Sequence, residues 1–195
     1  MLANDINKKI VEDINSSGGK AMGFAGNQNN LITAKKLEMA VKDSDSNIEK
    51  ILDLGFVGEP ISINSSFIND HIVKGIIPVI APLGIDEKGN TYNINADTAA
   101  GAIAGALRAS KLLLLTDIAG ILDENKKLIS SLSYEEAIKI ISKNFIRGGM
   151  KPKITTCIKA ISQGVKQATI LDGRISHALI LELFTEHGIG TQIYS

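Results

Sequence analysis

The sequence predicts an α/β fold, a three-layer sandwich in which helices cover both faces of a mostly parallel central sheet. Three observations carry that prediction. From Ile76 onward, short apolar runs alternate with helical patterns, as expected of parallel strands joined by helical crossovers. Ile76–Ala81 is continuously apolar, which fits a strand covered on both faces. Polar residues collect where strands give way to helices, above all in Tyr92-Asn-Ile-Asn-Ala-Asp-Thr98.

A first helix over Ile6–Asn15 places Ile6, Ile10, Val11 and Ile14 on one face and stops at Ser16-Ser17-Gly18-Gly19. Lys20–Ala25 and Asn30–Ala34 read as short strands around the turn-forming Gly26-Asn27-Gln28-Asn29. Lys42–Glu49 is polar and reads as a loop or exposed hairpin. Ile51–Ile63, punctuated by Gly55, Gly58 and Pro60, reads as irregular strand, and Ser65–Lys74 as a helix with His71 packed on its apolar side. Pro78 marks the start or the edge of the next strand, and Asp86–Asn90 is a turn. Helix Thr98–Arg108, strand Lys111–Leu115 and a loop from Asp117 to Ser131 follow. Ser133-Tyr-Glu-Glu136 is a capping box that opens a helix to Lys143. Gly148-Gly149 breaks the chain before helix Ile154–Gln163. Strand Ala168–Leu171, helix His177–His187 with Gly188 as its stop, and strand Thr191–Tyr194 complete the order. Residues 1–75 form an irregular α+β part and residues 76–195 the regularly alternating part of one continuous fold.

Composition narrows the function classes. The chain of 195 residues is 44% apolar and 22% charged, so it is globular rather than disordered. Lys plus Arg and Asp plus Glu both total 21, which supplies no basic excess for nucleic-acid binding. No stretch approaches the roughly 20 apolar residues of a membrane span, and the first residues lack the pattern of a secretory leader. A cytoplasmic setting without membrane or nucleic-acid partners is the expectation. The single cysteine, Cys157, excludes an internal disulfide and reads as a small core residue on a helix.

Three places carry chemistry. Asn93, Asn95 and Asp97 stand beside a helix start, where free backbone N–H groups and a partial positive end favour an anion; helix capping is the alternative reading of any one of them. Asp117, just past four leucines, is either a turn carboxylate or one that faces a nucleotide or orients a lysine. Gly148-Gly-Met-Lys-Pro-Lys153 joins a flexible junction to a helix, and Lys153 is either a surface lysine or a mobile point charge for a phosphate. No phosphate-loop or dinucleotide glycine fingerprint and no His/Cys metal spacing is present.

Four separated motifs in order, Asn93-Ile-Asn-Ala-Asp97, Leu112–Thr116 with Asp117-Ile-Ala-Gly120-Ile-Leu122, Gly148-Gly149-Met150 with Lys153, and Leu181-Glu-Leu-Phe-Thr-Glu-His-Gly-Ile-Gly-Thr191, resemble the acetylglutamate kinases of the amino-acid kinase family. Asp53-Leu-Gly-Phe-Val-Gly58 and Gly18-Gly-Lys-Ala21 fit as well, so the resemblance spans nearly the whole chain. It implies phosphoryl transfer from ATP, with Mg²⁺ carried on the nucleotide, to the side-chain carboxylate of N-acetyl-L-glutamate in arginine biosynthesis. By matching motif, Lys153 and Asp97 would be catalytic, Lys153 on the moving phosphoryl group and Asp97 organising lysines. Asn93 and Asn95 would bind substrate, and Thr116, Asp117, Gly120 and Leu122 would line the nucleotide. Residues 1–75 would be the remainder of the substrate lobe and 76–195 the nucleotide lobe. The tail around Glu182 and Gly188 resembles that of members inhibited by L-arginine, although Thr169 stands where a histidine is expected. A homo-oligomer is implied for the full-length protein.

One departure stands out. The family opens with a strand, a lysine-glycine-glycine turn and a second glycine-rich loop, with a substrate-gripping arginine further on, and none of these is in the sequence. The expectation is a chain lacking roughly the N-terminal third of the fold and inactive alone. Two other readings stay open: a relative acting on carbamate, glutamate or aspartate, and a non-catalytic nucleotide-binding or regulatory module.

Overall fold

The computed structural model describes residues 5–42, 49–143, 146, 148–185 and 188–195. The chain forms two compact units, Met1–Ala99 and Ala100–Ser195.

In the first unit, α1 (Asn7–Ser16) carries two helix-surface ion pairs one turn apart, Lys8–Glu12 at 3.7 Å and Lys9–Asp13 at 3.4 Å. Its first residue, Asn7, is buried and donates from Nδ2 to the Val79 carbonyl at 2.8 Å. β1 (Ala21–Ala25) pairs in parallel with β4 (Ile77–Ala81), from Ala21↔Ile77 to Ala25↔Ala81. α1 packs on both strands and α2 (Ser65–Ile72) on β4. Asn64 caps α2 by accepting from the Phe67 N–H at 3.2 Å. His71 is the packed histidine the pattern predicts, with ring centroids 4.8 Å from Phe24 and 4.7 Å from Phe67. β4 is half-buried over most of its length and fully buried at Ala81, with β1 as its single strand partner among the described residues.

β2 (Ile32–Lys42), β3 (Glu49–Ile63), β6 (Thr91–Ile94) and β5 (Leu83–Ile85) close a small barrel in that order. β2 and β3 are antiparallel, with register shifts at Thr33/Ala34 and Lys36/Glu38 that give β3 its irregularity. The predicted loop at Lys42–Glu49 falls largely outside the described residues; its flanking residues Lys42 and Glu49 are strand partners. The barrel interior holds Ile32, Ala34, Tyr92 and Ile94. Gly84 is required there: a Cβ on it would lie 2.6 Å from both Ala34 Cβ and Ile94 Cδ1. The sequence pattern missed β5, which is too short for a clear period, whereas β6 is the strand implied before the helix at Asp97.

α3 (Ala96–Leu107) leads into the second unit. Its sheet runs β7 (Lys111–Thr116), β9 (Gln167–Asp172), β10 (Thr191–Tyr194), β8 (Ser131–Ser133). β7 and β9 are parallel, as are β10 and β8, whereas β9 and β10 are antiparallel. β8 lies at the end of what the sequence reads as loop. α4 (Tyr134–Ile141) opens with the predicted capping box, Ser133 accepting from the Glu136 N–H and Glu136 from the Ser133 N–H. α5 (Met150–Ser162) begins one turn before the predicted Ile154, since Pro152 sits in a first turn where no N–H is needed. α6 (Ala178–Phe184) starts one residue later than expected and ends earlier; His187 lies outside the described residues. Leu112, Leu114, Ile154, Cys157, Ile170 and Ile193 form the center of the core, with Cys157 fully buried as a helix core residue.

Candidate functional site

In the first unit the site residues come from one stretch. β6 alternates, so Tyr92 and Ile94 point into the barrel and Asn93 is exposed. Asn95 is the cap of α3: its Oδ1 accepts from the Thr98 N–H at 3.1 Å and from the Thr98 hydroxyl at 3.3 Å. Asp97 is half-buried in the first turn, where the helix dipole favours a carboxylate. Near Asn93, Tyr92 donates its hydroxyl to Asp86 Oδ2 at 2.9 Å. Asp86 also accepts from Asn90 through side chain and backbone and from the Lys88 N–H. These bonds, that of the Asn90 side chain first, hold its carboxyl down to about 2. The turn predicted at Asp86–Asn90 is thereby fixed and aims the chain into β6.

In the second unit the site is assembled from distant segments. Thr116 ends β7 and Asp117 follows it, exposed, with the Thr116 hydroxyl donating to its Oδ1 at 3.2 Å. Parallel β9 ends beside them, and the Gly173 N–H donates to the Thr116 carbonyl at 2.8 Å. The carboxyl ends of adjacent parallel strands are where open α/β sheets bind ligands. Asp172 is buried there, and Arg174 closes on it three times: backbone N–H and Nε to Oδ1 at 2.9 Å each, Nη2 to Oδ2 at 2.8 Å. The guanidinium holds the Asp172 carboxyl down to about 2. It is itself raised, first by Asp172 and more weakly by the charge of Asp117.

Helix α5 brings Lys153 to the same edge. It packs on β7 and β9 and turns directly into β9, so it runs antiparallel to that strand. Thirteen residues at about 1.5 Å each match six at about 3.3 Å. The first turn, with a half-buried Lys153, therefore lies at the end of the sheet where β9 stops. Gly148 has φ +57, and a Cβ on either Gly148 or Gly149 would meet nothing within 4 Å.

Gly120 and Leu122 lie on the loop leaving β7. Gly120 is buried with φ +148, and a Cβ on it would come 2.6 Å from Thr191 Oγ1. That hydroxyl accepts from the Ile121 N–H at 2.8 Å and donates to the Ile129 carbonyl at 2.6 Å, pinning the loop to β10. Leu122 is partly exposed and bridges to Leu128. In the tail, Glu182 Oε2 accepts from the Ile189 and Gly190 N–H groups at 2.8 and 3.2 Å, directly against Gly188. Sequence reasoning missed Asp172 and Arg174, although Asp-Gly-Arg just after a predicted strand carries the same signal as Thr116-Asp117.

Among the described residues no helix is long and apolar enough to cross a membrane. Residues 2–172 match the amino acid kinase family. The chain is 54% identical to acetylglutamate kinase of Afipia carboxidovorans over 100% of its own length and 66% of that protein. It is 54% identical to that of Rhodospirillum centenum over 99% and 63%. The chain thus spans about two thirds of the length of these relatives. Among solved structures, N-acetylglutamate synthase from Neisseria gonorrhoeae, complexed with coenzyme A and L-arginine, superposes with a TM-score of 0.73 at 27% identity, covering 90% of this chain and 38% of that one. Fold, motifs and whole-chain similarity agree, and the protein belongs to the amino acid kinase family.

Proposed function

We propose that the protein is, or is part of, an ATP-dependent kinase that phosphorylates the side-chain carboxylate of N-acetyl-L-glutamate in arginine biosynthesis. The observation that carries this reading is the 54% identity to acetylglutamate kinases across the whole chain. Phosphoryl transfer demands positioning and charge neutralisation more than covalent help. In this reading Lys153 neutralises the transferring phosphoryl group, Asp97 orients the catalytic lysines, Asn93 and Asn95 hold substrate, and Thr116, Asp117, Gly120 and Leu122 receive the nucleotide. Residues 1–75 serve the substrate side, and 76–195 carry the nucleotide side together with the substrate-binding Asn93 and Asn95. Mg²⁺ arrives on the nucleotide phosphates, which supply most of its oxygen ligands.

The decisive test is a coupled ADP-release assay with ATP, Mg²⁺ and N-acetyl-L-glutamate. It is run on the 195-residue chain and on a chimera extended upstream with the corresponding residues of the Afipia carboxidovorans relative. Turnover by the chimera, greater than by the chain alone, is expected; turnover by neither overturns the reading.

We further propose that Glu182 and Gly188 belong to an L-arginine effector site in a homo-oligomer. In support, Glu182 organises the Gly188–Gly190 backbone, and the similar Neisseria gonorrhoeae enzyme was solved with L-arginine. Calorimetry on the chimera showing no arginine binding removes this assignment.

A further inference from the structure

The pair Asp172–Arg174 has more structure than a turn requires. A buried carboxylate at the end of β9 takes three N–H bonds from one residue two positions on, while the arginine side chain remains 68% exposed. A bidentate fork of this kind fixes the guanidinium plane as well as its position. The same turn is tied to β7 by the Gly173 N–H on the Thr116 carbonyl, and a Cβ on Gly173 would sit 3.1 Å from Leu115 Cβ. The Thr116 side chain in turn donates its hydroxyl to Asp117 Oδ1 at 3.2 Å. The clamp therefore reaches both residues at the end of β7, Thr116 through the backbone and Asp117 through the Thr116 hydroxyl.

We propose that Arg174, clamped by Asp172, is a positioning residue of the nucleotide edge: it sets the orientation of Thr116 and Asp117 toward a bound nucleoside diphosphate or triphosphate. This rests on the reading that Thr116 and Asp117 face the nucleotide. Arg174 acts through the Asp172–Gly173 turn on the end of β7 and requires its own geometry, so charge alone does not suffice. Lysine in its place keeps the charge but loses the planar fork.

The test is a double-mutant cycle on ADP binding, measured by titration calorimetry with the full 195-residue chain and, in parallel, the upstream-extended chimera. The variants are Arg174→Ala, Asp117→Asn and their combination, with Arg174→Lys alongside. Arg174→Ala and Asp117→Asn are each expected to weaken ADP binding by about tenfold, and the combination by hardly more than the worse single variant, as for coupled neighbours. Arg174→Lys is expected to fall close to Arg174→Ala. Additive losses, or ADP binding by Arg174→Ala equal to that of the parent, overturn the proposal and leave the clamp a structural turn. If the parent chimera itself binds no ADP, the nucleotide reading of this edge fails, and the proposal with it. A melting temperature recorded for every variant separates weak binding from partial unfolding.

Discussion

The two places where polar residues gather at element ends are built differently. At the β6–α3 junction, Asn93, Asn95 and Asp97 fall within five consecutive residues, and local rules alone set them out: strand alternation turns Asn93 outward and the helix start takes Asn95 as its cap. At the β7/β9 edge, Thr116 and Asp117 meet Asp172 and Arg174 because two parallel strands pair with two intervening helices between them in sequence. Polar groups close in sequence are held by local bonds that also serve the backbone. Polar groups brought together by sheet pairing are held by the core, so their geometry depends on packing rather than on any one cap.

The comparison can be broken first at Lys153. Lys153→Ala is expected to lower the turnover of any version of the protein that is active by about 100-fold, the scale of removing one transition-state charge partner, with the melting temperature preserved. A similar loss of both would place Lys153 in the fold rather than in the chemistry. Next comes Thr191→Val, which keeps the side-chain shape but leaves the Ile121 N–H and the Ile129 carbonyl without their hydroxyl partner. Denaturant unfolding should register about 2 kcal/mol for such a buried loss, and the nucleotide-side loop should loosen with it; a change below a few tenths would show that the loop is held otherwise.

A smaller effect sharpens the first region. Asn95→Ala should cost about 1 kcal/mol as a lost cap, whereas Asn95→Asp should keep stability because aspartate caps as well. If Asn95→Asp also keeps N-acetyl-L-glutamate binding by the extended chimera, Asn95 is a cap and nothing more. The smallest effect is in acid. Asp86 and Asp172 both have carboxyls held down to about 2 in the fold against 3.8 ordinarily. A lowered native value means that the stabilisation is complete above about pH 4 and is lost as pH falls toward 2. Melting temperature should therefore decline through that window, and less steeply in Asp86→Asn and Asp172→Asn; parallel curves would show that these carboxylates do not govern acid stability.

Much of the molecule was legible in advance. The capping box at Ser133, the packed His71 and the strands ending at Ala25, Ala81 and Tyr194 follow from patterns only a few residues wide. The four motifs were enough to indicate the family. The barrel was not legible, because β5 and β6 span three and four residues and are specified by their partners, with Gly84 kept small by Ala34 and Ile94 across the interior. The role of Thr191 was equally hidden: nothing around it in sequence announces that its hydroxyl will join residues 121 and 129.

By itself the sequence determined the helices, the principal strands and the local polar run at Asn93–Asp97, because propensity, capping and periodicity act over a few residues. Only the tertiary structure decided that β1 pairs with β4 across more than fifty residues and that β9 runs parallel to β7 but antiparallel to β10. It alone decided that Asp172 and Arg174 close against the end of β7. The reason is physical: which strand edges meet is settled by burial of the whole core, and no short window of sequence contains that free energy.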